Sequence, residues 1–209
     1  AVPQPTPTPE PEPEPEPKTV QYVSVKTNGL NVRKGASTSY ASLGTADKGE
    51  LLAFEKMQNG WYKTRYRGQT AYVSASSAHA ALVTMERGDE RVESVIAQGL
   101  DRLGVPYVYG AVRLHDGKGN KIKGVTTEKF DCSSLMQYMF YEGANVLLGT
   151  TTRTQVLQGK SVKRSAIRRG DLLFFTNASR KNNTGIERVG HVGLYLGDGY
   201  MLHTSSDYA

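Results

Sequence analysis

The 209-residue chain has one cysteine and one tryptophan. A single thiol, Cys132, cannot close an internal disulfide, which excludes a small cross-linked scaffold. No stretch approaches the roughly 18 apolar residues that span a bilayer as a helix. Proline is nearly missing from the body of the chain, because eight of the nine prolines lie in the first 17 residues. Acid is also short there. Residues 1–17 hold four glutamates and no base, so the rest carries 26 Lys and Arg against 16 Asp and Glu. Such a surplus attracts polyanions, among which nucleic acid, anionic lipid and an acidic cell wall all qualify, and charge alone does not choose.

The proline-rich segment, PQPTPTPEPEPEPEP at residues 3–17, can form neither helix nor sheet, because proline fixes φ and lacks a backbone N–H. It reads as an extended polyproline-II linker of about 3.1 Å per residue. The start at Ala1 together with this spacer suits an exported, wall-associated chain. Residues 18–76 hold short valine-rich runs (VQYVSV, GLNVRKG, NGWYKTRYRGQTAYVS) separated by Asn-Gly and Arg-Gly turns, the pattern of a small β-barrel. Residues 77–85 read as a connector. From residue 86 the period changes: Val92, Val95, Ile96, Leu100 and Leu103 recur at helical spacing, with Asp89 as N-cap and Gly104 as stop. A second helix is expected around Leu135, Met136, Met139 and Phe140, ending near Gly143, with Asp131 as cap. GDLLFFT reads as a buried strand, and HVGLYL-GDG-YMLHTS as a hairpin. Helices followed by strands indicate an α+β second domain over residues 86–209.

The thiol therefore falls at a helix start, where unpaired N–H groups and partial positive charge favour a thiolate. Of the four histidines, His79 and His115 read as ordinary surface. His191 and His203 lie on consecutive strands twelve residues apart. An odd-numbered turn such as Gly197-Asp198-Gly199 puts both rings on one face, so one can take the thiol proton while the other orients it. A zinc site shows clustered pairs such as CxxC or HxxxH, and the chain has neither. In DGKGN, at residues 116–120, Lys118 stands where a calcium ligand is needed. No metal and no cofactor are expected.

Four linked motifs resemble the NlpC-type, papain-like cell-wall cysteine peptidases of bacteria: GVPYVYG from Gly104, FDCSSL from Phe130, RRGDLLFF from Arg168 and GHVGLYLGDG from Gly190, followed by His203. Residues 18–76 resemble the bacterial SH3-like domain that often precedes such a domain. The resemblance implies hydrolysis of peptidoglycan stem peptides, commonly between D-glutamate and a diamino acid. It implies Cys132 as nucleophile, His191 as general base and then acid, and His203 as orienting residue. Asp131, Ser133 and Tyr107 become substrate-side residues, Tyr107 beside the oxyanion. The implied partners are wall peptide and anionic wall rather than nucleic acid. The chain departs from the family at Ser134, where glycine is usual, in a longer insertion over Ala111–Lys129, and in ending six residues after His203. A wall-binding protein without catalysis, and a thiol enzyme acting on another γ-glutamyl polymer, are the competing readings.

Overall fold

A computed structural model describes residues 18–206; the linker expected over residues 1–17 lies outside them. Eight strands form the N-terminal part: β1 (Thr19–Val25), β2 (Leu30–Arg33), β3 (Ser42–Ala46), β4 (Leu51–Ala53), β5 (Lys56–Gln58), β6 (Trp61–Tyr66), β7 (Gln69–Ser74) and β8 (Ala80–Glu86). They make a three-stranded sheet in the order β4-β1-β8 and a five-stranded sheet in the order β3-β2-β7-β6-β5, rather than one closed barrel. Alternation drives the packing: along β6, Tyr62, Thr64 and Tyr66 point inward while their neighbours stay half-exposed. Val23, Val25, Val32, Leu52, Ala71 and Val73 fill the space between the sheets. Most of the stretch read as a connector is strand. β8 pairs antiparallel with all of β1, from Thr19 opposite Glu86 to Val25 opposite Ala80. Its sequence, AALVTME, does not alternate, so pairing rather than pattern makes it a strand.

The C-terminal part contains α1 (Glu90–Leu100), α2 (Cys132–Ala144), the short α3 (Thr152–Gln155), β9 (Leu172–Phe175), β10 (His191–Gly197) and β11 (Tyr200–Leu202). Asp89 caps α1 by accepting the Val92 N–H, and Asp131 caps α2 by accepting the Ser134 N–H. α2 runs one residue past Gly143 and stops at Asn145 in the left-handed conformation (φ 53°). Gly143 instead serves packing. A Cβ there would sit 2.5 Å from the Val95 backbone, so only glycine lets α1 and α2 approach this closely. Gly143→Ala should force the helices apart at a cost of about 1–3 kcal/mol. Scanning calorimetry should show a melting temperature lowered by roughly 3–10 °C; an unchanged melt would mean the contact yields freely.

α2 packs on the antiparallel sheet β11-β10-β9, burying Leu135, Met136 and Met139 against Val192, Leu194 and Leu196. β9 is an edge strand of this sheet and is only half-buried, with Phe175 exposed, whereas its apolar run suggested full burial. The turn after β10 also differs from expectation. Only Asp198 and Gly199, both with positive φ like Gly197 before them, separate the paired Gly197 and Tyr200. A regular two-residue turn would set His191 and His203 on opposite faces. A register shift between Tyr195 and Gly197 adds the missing residue, so Tyr195 pairs with Met201 and Leu194 with Leu202. The parity that the sequence suggested is restored by this bulge.

The two parts share a core: Tyr22, Leu51 and Met85 pack with α1, α2 and β10. The β6–β7 turn docks on the end of α1, with Gly68 N–H donating to Asp101 O at 2.7 Å and Arg65 Nε bonding Asp101 Oδ1 at 2.7 Å. Across the same junction the buried Arg169 guanidinium donates to both Glu93 oxygens (2.6 and 2.8 Å), to Tyr22 Oη and to the Leu196 carbonyl. No helix among the described residues is long and apolar enough to cross a membrane.

Candidate active site

Cys132 is the first residue of α2, as its place after a capping aspartate predicts. The capping box is complete: Asp131 Oδ1 accepts the Ser134 N–H at 2.8 Å, and Ser134 Oγ accepts the Asp131 N–H at 2.8 Å. The serine found at 134 in place of the usual glycine therefore closes the cap. The thiol itself is 7% exposed, more buried than its polar flanks suggest. Burial pushes its pKa up, and the Asp131 charge adds to that. The backbone amides of Val192, Ser133 and Cys132 act in the opposite direction without overcoming it. The helix start thus does not by itself yield a thiolate, and the resting group is a thiol.

The Val192 amide that reaches the sulfur belongs to β10 and follows His191 directly, so packing of α2 on β10 sets the Cys132 thiol against the backbone of the residue next to His191. His191 Nε2 and His203 Nδ1 lie 3.1 Å apart, and the rings meet nearly edge to face with centroids 5.1 Å apart. Burial lowers the pKa of His191, with the His203 charge adding to it, and burial lowers that of His203. Both rings rest neutral near pH 7. Phe175, opposite His191 in the β9–β10 register, stands 6.3 Å from it, ring to ring.

Tyr107 is held beside α2 by a bridge to Phe130, with Val108 N–H donating to Phe130 O at 2.8 Å. Burial raises the pKa of its hydroxyl, and the charges of Cys132 and Asp131 raise it further. It stays protonated and within electrostatic reach of the sulfur. Asp131 and Ser133, expected on the substrate side, are 3% and 4% exposed. Their polar atoms face each other, with Ser133 Oγ donating to Asp131 Oδ1 at 3.0 Å, and both face Arg113. Their side chains support the first turn of α2.

The sequence reading missed three contributors. Arg113 lies in the Ala111–Lys129 insertion and forms an ion pair with Asp131 at 2.9 Å. Gln155 of α3 donates to the Ser133 carbonyl at 2.9 Å and so holds the same turn. His115, read as surface, is fully buried: Nδ1 accepts the Gly117 N–H at 3.0 Å and the ring packs on Tyr141. Only long-range packing could have placed them. His79 is exposed and bonds Ser74 Oγ at 3.0 Å. Asp116 is taken up by the Lys118 and Asn120 amides of its own loop, and no cluster among the described residues could hold a metal ion.

Comparison with known proteins agrees with this architecture. The sequence model of the NlpC/P60 family matches residues 104–209, and that of the bacterial SH3 domain matches residues 28–78. The peptidoglycan endopeptidase RipA of Mycolicibacterium smegmatis is 38% identical over 116 residues, covering 55% of this chain and 21% of that protein. The gamma-D-glutamyl-L-lysine dipeptidyl-peptidase of Bacillus subtilis is 30% identical over 154 residues, covering 74% of this chain and 44% of that protein. The chain thus spans less than half the length of each. Among solved structures, an NlpC/P60 family protein from Bacillus cereus aligns with 90% of this chain and 56% of its own, at 21% identity and a TM-score of 0.43. The chain belongs to the NlpC/P60 family, with a bacterial SH3 domain ahead of its NlpC/P60 domain.

Proposed function

We propose that the chain is an extracytoplasmic cysteine endopeptidase that cleaves stem peptides of peptidoglycan, at the bond between D-glutamate and the diamino acid. One observation carries the reading: a thiol at a capped helix start is packed against the strand that begins with one half of a hydrogen-bonded histidine pair. The name of the M. smegmatis relative supports the substrate class, and that of the B. subtilis enzyme supports the bond.

With Nε2 on His203, His191 keeps Nδ1 for the thiol proton. His203 accepts at Nδ1 when His191 becomes imidazolium, so its own proton sits on Nε2. Because the resting pair is neutral, proton transfer accompanies attack. The sulfur bonds to the amide carbonyl carbon, and the oxygen takes the negative charge. The backbone amides at the start of α2 and the Tyr107 hydroxyl stabilise it. His191 then returns its proton to the leaving amine and the C–N bond breaks. Water, deprotonated by the same ring, releases the acid from the thioester. The basic surface favours residence on an anionic wall.

Purified peptidoglycan incubated with the protein should release fragments that mass spectrometry identifies as new D-glutamyl carboxyl ends paired with free diamino acid amines. Fragments ending elsewhere would correct the bond. No release under conditions where Cys132 still reacts with iodoacetamide would leave wall binding as the function.

A further inference from the structure

We propose that Arg113 is a positioning residue for the nucleophile: its guanidinium fixes the first turn of α2 and neutralises the Asp131 carboxylate that precedes Cys132. Each of its three guanidinium nitrogens is placed. Nε donates to the Thr150 carbonyl at 2.8 Å and one terminal nitrogen to the Ala111 carbonyl at 2.6 Å. The other donates to Asp131 Oδ2 at 2.9 Å and to Ser133 Oγ at 3.2 Å. The guanidinium thus ties the insertion, the loop before α3 and the helix start together. A lysine has one nitrogen and cannot reach all four acceptors.

The location gives this cluster a consequence for chemistry. Asp131 is bonded in sequence to the nucleophile, and its carboxylate is almost wholly buried, at 4% exposure against 20% for Arg113. A bare carboxylate there would oppose a thiolate one residue away, and its charge already disfavours the anion. Besides Arg113, the carboxylate accepts from the Gly110 and Ser134 amides and from Ser133 Oγ, all neutral donors. Arg113 is the one cation among its described partners. The other titratable groups near the sulfur, Tyr107 and the neutral His191, cannot supply positive charge at rest. The Ala111–Lys129 insertion therefore carries a part that the thiol needs.

The inference rests on Cys132 being the nucleophile. Its test reads the thiol directly, so it gives an answer whether or not the chain cleaves wall peptide. The rate of Cys132 alkylation by iodoacetamide is followed from pH 5 to 10. Arg113→Met should move the midpoint upward by about one unit and slow alkylation at pH 7 about tenfold. Arg113→Lys should recover part of that loss. Arg113→Met combined with Asp131→Asn should return the rate to within about threefold of the parent, because asparagine still caps the helix but carries no charge. A profile unchanged in Arg113→Met, or a double variant no faster than the single one, would overturn the proposal and leave Arg113 a packing residue. Should Arg113→Met fail to fold, Asp131→Asn alone decides. It leaves Arg113 unopposed and should speed alkylation at pH 7, and a slower or equal rate counts against the proposal.

Discussion

Replacing Cys132 with alanine should abolish release of stem peptides, with kcat falling roughly a millionfold, while the fold stays intact. The size follows from the proposed mechanism. Without the sulfur no acyl-enzyme forms, and His191 has no proton to take, so only oriented binding and the oxyanion donors remain. Loss of a nucleophile that acts as a unit with its base costs this much, and removing the base as well adds little. His191→Ala should therefore approach the same floor, and the double variant should sit no lower. Stability should move by less than about 1 kcal/mol, because the substitution removes one sulfur from a site whose cap is built by Asp131 and Ser134. Muropeptide release timed against a thermal melt separates the two effects. A Cys132→Ala protein that folds and still cuts would remove the thiol from the chemistry altogether.

Local signals explain why that thiol could be picked out before any coordinates. A capping aspartate, a following serine and an apolar helical stripe are all within twelve residues, and each obeys a short-range rule that the fold does not override. The His191–His203 pair was legible through the family motifs and through parity, but the parity rests on a different turn: it is shorter than it reads, and the bulge at Leu196 supplies the compensation. What the sequence could not carry is whatever depends on partners far along the chain. The protonation state of Cys132 is set by burial under β10 and by a carboxylate whose own counterion lies in an insertion without periodicity. β8 becomes a strand because β1 offers it an edge, and Ala-Ala-Leu-Val shows no alternation of its own. His115 carries a polar label and sits among glycines and lysines, yet the Gly117 amide and the Tyr141 ring close over it.

The junction between the two domains was equally invisible, and it holds the second large effect. Glu93→Ala should lower stability by about 3–5 kcal/mol, because it leaves a charge buried without its partner. The Arg169 side chain is only 8% exposed and Glu93 14%, so water cannot replace the lost carboxylate. Arg169 would keep its bonds to Tyr22 Oη and the Leu196 carbonyl, neutral acceptors that offset part of the loss. Glu93 Oε1 also accepts the Gly88 N–H at 2.7 Å, so the entry to α1 loosens too. For a chain of this length the melting temperature should drop by roughly 6–20 °C. Acid should show the same linkage. Burial alone would raise the Glu93 pKa, but Arg169, the Gly88 amide and the Arg87 charge outweigh it and hold the carboxyl below its ordinary value. A carboxyl depressed by folding stabilises fully above its unfolded pKa, near 4.3, and loses that contribution as pH falls through the lower folded value. Glu93→Gln should therefore melt lower than the parent at pH 7, and the gap should close as the pH drops below about 4. Removing both charges, with Glu93→Leu and Arg169→Met together, should restore most of the lost stability, since no uncompensated charge is left behind. Calorimetry across pH 3 to 8 on the three variants checks each step. A Glu93→Ala protein that melts like the parent would mean the pair contributes nothing to joining the bacterial SH3 domain to the NlpC/P60 domain.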